Sequence, residues 1–160
     1  MKVRIGIGYD IHRLEPGSGL TLGGVVIPHQ KSLVGHSDAD VLLHAITDAL
    51  LGACGLGNIG EKYPDTDPQY SGVDSRRLLR ETAALIRNKG YRISNIDSNI
   101  LAEQPKLLAF FPAMKQCIAE DLEIPVEDVH VKAKTMEHLD AVGAEEAIAA
   151  QAVALVFIES

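Results

Sequence analysis

Asp10-Ile11-His12, at the end of an alternating apolar run, and His44, on a helix that follows, are the side chains best suited to hold a metal ion. In Val3-Arg4-Ile5-Gly6-Ile7-Gly8-Tyr9-Asp10-Ile11-His12, Val3, Ile5, Ile7, Tyr9 and Ile11 recur at every second position. That period predicts a strand with one buried face. Side chains two apart on a strand share a face, so Asp10 and His12 project together opposite the apolar one. A carboxylate and an imidazole so placed need a third ligand to hold a zinc-like ion and keep a coordination position open. Taken alone, Asp-x-His reads equally well as a surface turn before a capped helix.

His36-Ser37-Asp38 reads as the start of a helix over 38–51, its hydroxyl and carboxylate groups accepting the first backbone N–H bonds. Spacing of four puts Asp40, His44 and Asp48 on one stripe beside an apolar face, from which His44 can turn toward the strand. Gly55-Leu56-Gly57-Asn58-Ile59-Gly60 has the letters of a dinucleotide fingerprint, but it follows a helix and opens a loop instead of following a strand. Tyr63-Pro64-Asp65-Thr66-Asp67-Pro68 is a turn whose carboxylates either face solvent or meet polyol hydroxyls. Leu101-Ala102-Glu103-Gln104-Pro105-Lys106-Leu107 ends a strand and opens a helix, a junction with free N–H groups and a cation for phosphate, or simply an exposed lysine. In Lys132-Ala133-Lys134-Thr135-Met136-Glu137-His138, Thr135 can bond a phosphoryl oxygen and Glu137 can take a hard cation, or the stretch is simply a solvated strand end.

These pieces need a scaffold. Leu20–Ile27 reads as a hairpin turned at Gly23-Gly24, 53–73 as a functional loop, and Asp74 or Ser75 caps a helix closed by Gly90. Strands are expected at 93–102, 129–135 and 153–158, with 144–152 ambiguous, and Pro112 breaks or kinks a helix opened by Pro105. Strands and helices alternate around an antiparallel hairpin, so the expected class is α+β: a mixed sheet layered with helices, in one domain.

The chain's 160 residues, 46% hydrophobic, suit one folded core. A net charge of −7 without a basic cluster argues against nucleic acid as partner. Cys54 and Cys117 form no Cys-x-x-Cys pair and read as reduced thiols. No basic-then-apolar leader and no bilayer-length apolar run is evident, so a soluble, cytoplasmic protein without membrane partners is expected.

Gly8-Tyr9-Asp10-Ile11-His12, His36-Ser37-Asp38-Ala39-Asp40 with His44, Asn58-Ile59-Gly60, Tyr63-Pro64-Asp65-Thr66-Asp67 and Ala102-Glu103-Gln104-Pro105-Lys106 together resemble the 2-C-methyl-D-erythritol 2,4-cyclodiphosphate synthases of non-mevalonate isoprenoid synthesis. The resemblance runs in order from Arg4 to Ile158 and implies one such domain over 1–160. It implies a homotrimer of α+β subunits with active sites between neighbours, and a metal-dependent phosphorus–oxygen lyase reaction. That reaction cyclises 4-diphosphocytidyl-2-C-methyl-D-erythritol 2-phosphate and releases CMP. It further implies zinc on Asp10, His12 and His44, with Glu137 helping to hold magnesium or manganese on the substrate diphosphate. His36 and Thr135 would stabilise the transition state. Ser37 and the loop of Tyr63, Pro64, Asp65, Thr66 and Asp67 would meet the methylerythritol phosphate, with Asn58, Ile59 and Gly60 near the ribose. Ala102, Glu103, Gln104, Pro105, Lys106, Leu107 and Leu108 would enclose the cytosine, with Lys106 near phosphate, and Lys134 and Met136 would lie beside Thr135 and Glu137 at the substrate. Two departures stand out. Asn58 replaces the usual Asp, and Ala141-Val142-Gly143-Ala144-Glu145-Glu146-Ala147 replaces a Phe-x-Gly-Arg-Gly-Glu-Gly run, so the family's central-cavity arginine is missing at Ala144. A phosphodiesterase that uses water as nucleophile, and a binding protein with structural zinc, are the alternatives.

Overall fold

A computed structural model describes residues 1–64 and 66–159 of the chain; the expectation for Asp65 lies outside them. Five strands form a mixed sheet in the order β4-β1-β7-β5-β6: β1 is Lys2–Pro16, β4 Lys31–Leu33, β5 Arg92–Leu101, β6 Val129–Lys134 and β7 Ala147–Ile158. Only β5 and β6 run parallel; every other pairing is antiparallel. The hairpin β2 (Leu20–Leu22) and β3 (Val25–Ile27) stands apart, turned at Gly23-Gly24 with both φ positive, the conformation that a two-residue turn demands and glycine supplies. Three longer helices complete the layer: α1 (Val41–Ala53), α3 (Ser75–Asn88) and α4 (Phe111–Leu122), with single turns α2 (Ile59–Lys62) and α5 (Asp140–Gly143) between the larger elements. The core lies between this helical layer and one face of the sheet, filled by residues such as Leu42, Ile46, Leu50, Leu79, Ile96, Ile100 and Val156.

The α+β class and the mixed, layered sheet agree with the sequence reading. The face of β1 does not. Ile5, Ile7, Tyr9 and Ile11, expected inside, are 70%, 75%, 52% and 43% exposed on the uncovered side of the sheet. The opposite row is the packed one, and glycines decide it. A Cβ on Gly6 would meet the Ala49 carbonyl oxygen at 1.9 Å, and one on Gly8 would meet that of Ala45 at 1.8 Å. The backbone of α1 therefore lies directly on the bare backbone of β1, and no side chain is needed to fill the gap.

Other boundaries moved for local reasons. The first helix starts three residues later than expected, because Asp40 is its N-cap, accepting from the Leu43 N–H at 3.0 Å. Asp40 also accepts from Gly23 and Gly24 (2.9 and 2.8 Å), so one buried carboxylate ties the hairpin to α1. Pro112 opens α4 in place of breaking it, since a first-turn proline forfeits no helical bond, and Pro105 opens no helix. The 53–73 segment contains α2 and a 3₁₀ turn at Pro68–Tyr70. The alanine-rich start of the last segment, 147–152, is strand throughout: it lies between β1 and β5, and pairing on both edges overrides alanine's helical preference.

Candidate functional site

Close seating of α1 on Gly6 and Gly8 brings His44 over the second half of β1, where Asp10 and His12 point to the same side. Asp10 Oδ2 lies 3.0 Å from His12 Nε2 and 2.9 Å from His44 Nδ1. The three ligand atoms lie within 4.8 Å of one another, and among the described residues they are the one His/Cys/Asp/Glu group so arranged. Each remaining ring nitrogen has its own partner. His12 Nδ1 lies 2.7 Å from the Val34 carbonyl, which only accepts, so Nδ1 carries a proton and Nε2 is the nitrogen turned toward Asp10. Gly35 permits that orientation, because a Cβ there would press on the His12 ring at 2.8 Å. His44 Nε2 faces the hydroxyls of Ser75 (2.9 Å) and Ser37 (3.1 Å). One carboxylate and two imidazoles with converging ligand atoms and partnered outer nitrogens suit a divalent transition-metal ion.

Burial would raise the Asp10 pKa, but hydrogen bonds from His12 and His44 outweigh it and hold the group at about 2. The same hydrogen bond raises the His12 pKa above its ordinary value against partial burial. The cluster forms the floor of a cleft of about 220 Å³, whose walls include His36, Ser37, Ile59, Gly60, Tyr63 and Tyr70. The stripe of Asp40, His44 and Asp48 is real but serves three separate tasks. Asp40 caps, His44 joins the cluster, and Asp48 accepts from the Ile59 N–H at 2.7 Å, fixing the cleft wall.

Several expected contact residues spend their polar atoms locally. Asn58 caps α2, its Oδ1 accepting from the Glu61 N–H at 3.0 Å. Asp67 accepts from the Gln69 backbone and side chain (3.1 and 2.6 Å). Glu103 is buried and accepts from the Met136 and His138 N–H groups, which orders the turn after β6. Pro64 and Thr66 flank the undescribed Asp65.

The other expected contacts form a second hollow, of about 240 Å³, lined by Ala102, Pro105, Lys106, Leu107, Leu108, Lys134 and Thr135; exposed Gln104 is not among its lining residues. Glu137 lies beside it, accepting from the Thr135 hydroxyl at 3.2 Å. This hollow sits at the β6 edge, three strands along from β1, or roughly 14 Å at ordinary strand spacing. One chain therefore does not bring Thr135 and Glu137 to the Asp10/His12/His44 cluster. Ser75, Asp38, Gly35 and Tyr70 were not picked out from sequence as parts of this site. Ser75 lies 31 residues from His44, and no spacing rule links them.

Comparison with known proteins places this arrangement. A curated relative from Cupriavidus pinatubonensis, named 2-C-methyl-D-erythritol 2,4-cyclodiphosphate synthase, is 56% identical over 155 residues, covering 97% of this chain and 92% of the relative. Among solved structures, the bifunctional IspDF of Campylobacter jejuni aligns with a TM-score of 0.95 at 38% identity, covering 99% of this chain and 43% of that longer one. The Plasmodium falciparum IspF in complex with CDP aligns with a TM-score of 0.87 at 35% identity, covering 99% of this chain and 97% of its own. Residues 3–157 match the YgbB family, and with relatives this similar over almost its full length, the chain belongs to that family.

Proposed function

We propose that the chain, as one cyclodiphosphate synthase-like domain over 1–160, converts 4-diphosphocytidyl-2-C-methyl-D-erythritol 2-phosphate to 2-C-methyl-D-erythritol 2,4-cyclodiphosphate and CMP. The observation that carries this reading is the convergence of Asp10 Oδ2, His12 Nε2 and His44 Nδ1 at the floor of a cleft, in a chain 56% identical to a protein of that name. The substrate's 2-phosphate oxygen bonds to the β-phosphorus, and the bond to the bridging oxygen breaks, its electron pair leaving with CMP. The nucleophile is already anionic, so no serine, cysteine or strong base is required.

Asp10, His12 and His44 would hold zinc or a similar ion, which when bound supplies Lewis acidity toward a phosphoryl oxygen. Glu137 would hold magnesium or manganese on the diphosphate. His36 and Thr135 donate hydrogen bonds to oxygens that gain charge, each such donor being worth about 3–4 kcal/mol in comparable sites. Ser37, with Tyr63 to Asp67, positions the methylerythritol phosphate for in-line attack. Asn58 to Gly60 face the ribose, Ala102 to Leu108 enclose the base with Lys106 near phosphate, and Lys134 and Met136 flank Thr135.

The working unit is a homotrimer in which the metal half of one subunit meets the Thr135 half of its neighbour. Two observations favour this: the halves are three strands apart within one chain, and the apolar row of β1 faces outward. The free thiols of Cys54 and Cys117 suit the reducing cytoplasm, and among the described residues no helix is long and apolar enough to cross a membrane.

Incubation with the cytidyl diphosphate substrate, with and without chelator, tests the reading. CMP and the cyclic diphosphate should appear together and stop on chelation. A linear phosphate product, or turnover indifferent to chelator, would overturn it. His44→Ala should stay folded yet lose metal affinity by well over about 100-fold, the ceiling for changes one layer further from the ion.

A further inference from the structure

Parallel strands end side by side. In the β5–β6 register Leu101 lies opposite Lys134, and one further bond, from the Ala102 N–H to the Lys134 carbonyl at 3.0 Å, extends the ladder. The segments leaving the two strands are therefore neighbours, Glu103 on one and Thr135 to His138 on the other. The second takes a costly course. Glu137 and His138 have φ of 52° and 62°, and Asp140 follows at 57°. Residues other than glycine hold such left-handed backbone only where their surroundings fix it. One bond of the turn's own closes it, from the Leu139 N–H to the Met136 carbonyl at 3.0 Å. The other clamp is a single oxygen. Glu103 Oε1 accepts from the Met136 N–H at 2.8 Å and the His138 N–H at 3.3 Å, the amides on either side of Glu137. Converging N–H groups make a concavity for an anion, and here the anion is the protein's own. Glu103 is 8% exposed and does not line the hollow beside it. Its Oε2 lies 3.7 Å from His138 Nδ1, beyond hydrogen-bond distance, so the backbone contacts are the ones that hold.

We propose that the Glu103 carboxylate is a positioning group and not a contact for the base: it clamps the turn after β6 so that Thr135 and Glu137 meet the substrate diphosphate as a preset pair. This role deepens the cyclisation proposed above and rests on it. The Thr135 hydroxyl donates to Glu137 Oε1 at 3.2 Å and accepts from the Glu137 N–H at 3.4 Å, so the two side chains move with the turn as one unit. Thr135 lines the hollow together with Ala102, the residue before Glu103. The base side and the diphosphate side of that hollow are thus joined through one buried carboxylate. Slack of an ångström in such a joint costs about 100-fold in rate.

The test uses the full chain, with the cytidyl diphosphate substrate for turnover, CMP for binding, and amide hydrogen exchange for the turn. Glu103→Ala should speed exchange at Met136 and His138 and lower kcat by about 10–100-fold, while KM and CMP affinity stay within about twofold. A lost base contact would do the reverse, raising KM and sparing kcat. Glu103→Gln keeps an acceptor oxygen without the charge and should recover most of the lost turnover. A folded Glu103→Ala with wild-type kcat, or one whose whole loss lies in KM and CMP affinity, overturns the proposal. If Glu103→Ala does not fold, Glu103→Gln decides: its weaker acceptor should still speed exchange at the two amides, and unchanged exchange there overturns the clamp. If the wild type releases no CMP, the cyclisation reading fails instead, and exchange at Met136 and His138 still judges Glu103.

Discussion

At the level of single residues, the cluster makes a prediction about pH that has opposite signs with and without metal. In the metal-free chain the Asp10 contact raises the His12 pKa. A group with a raised folded pKa contributes stability that is fully present below its unfolded value of 6.5 and is lost as pH climbs through the folded one. Ligation needs the neutral ring, so protons compete with the ion and loaded protein should gain stability over the same window. Melting curves from pH 6 to 8 should therefore fall for the chelated protein and rise for the zinc-loaded one; parallel slopes would contradict the assignment. The grouping of Asp10, His12 and His44 was legible in sequence because a two-residue spacing puts the strand pair on one side and a helical stripe can turn His44 toward it. Ser75 was not, since only tertiary packing brings the start of α3 to that ring. The capping contacts of Asn58 and Asp67 were not legible for the converse reason: a side chain that looks free in a loop caps the next turn.

Among the elements, the decisive contact is α1 lying on β1, and two glycines test it. Gly8→Ala would drive a methyl to 1.8 Å from the Ala45 carbonyl oxygen, backbone that cannot rotate away. Overpacking of this kind costs about 3 kcal/mol at the upper end of the usual range, or roughly 6–12 °C in Tm for a chain of this size. It should weaken metal binding as well, because α1 carries His44. Gly52→Ala, in the same helix, meets only the Ile7 carbonyl at 4.0 Å and should instead stabilise by about 0.4–1 kcal/mol. Calorimetry on the pair separates a packing effect from general intolerance of α1. The elements themselves were largely readable: the Gly23-Gly24 hairpin, the Asp74 cap and the Gly90 stop follow local rules. The start of α1 was missed because Asp40 competes with Ser37 and Asp38 for the cap, and only contact with Gly23 and Gly24 chooses it.

For the whole molecule, the period of β1 was read correctly and its direction wrongly. Alternation shows that the two faces differ, but not which one meets the helical layer and which one is left uncovered. Bare glycine between Ile5, Ile7 and Tyr9 proved to be the packed side. If three chains associate through the apolar row, Ile7→Asp should leave the secondary structure intact and reduce the mass measured by light scattering from three chains to one. Subunit mixing gives the sharper measurement. His44→Ala and Thr135→Ala are each impaired alone, but randomly mixed trimers should regain about a quarter of wild-type sites, half with an intact metal side times half with an intact neighbour. No recovery on mixing would place both halves of the site in one chain.

The odd-numbered side chains of β1 face away from the helical layer, while the even-numbered ones carry the glycine seat and the two ligands. Inserting or deleting one residue just before Asp10 would exchange these roles from that point on, sending Asp10 and His12 outward and Ile11 toward the helical layer. The strand should therefore tolerate many single substitutions but no change in length. Deep mutational scanning that includes indels would reveal a stretch unusually intolerant of insertion.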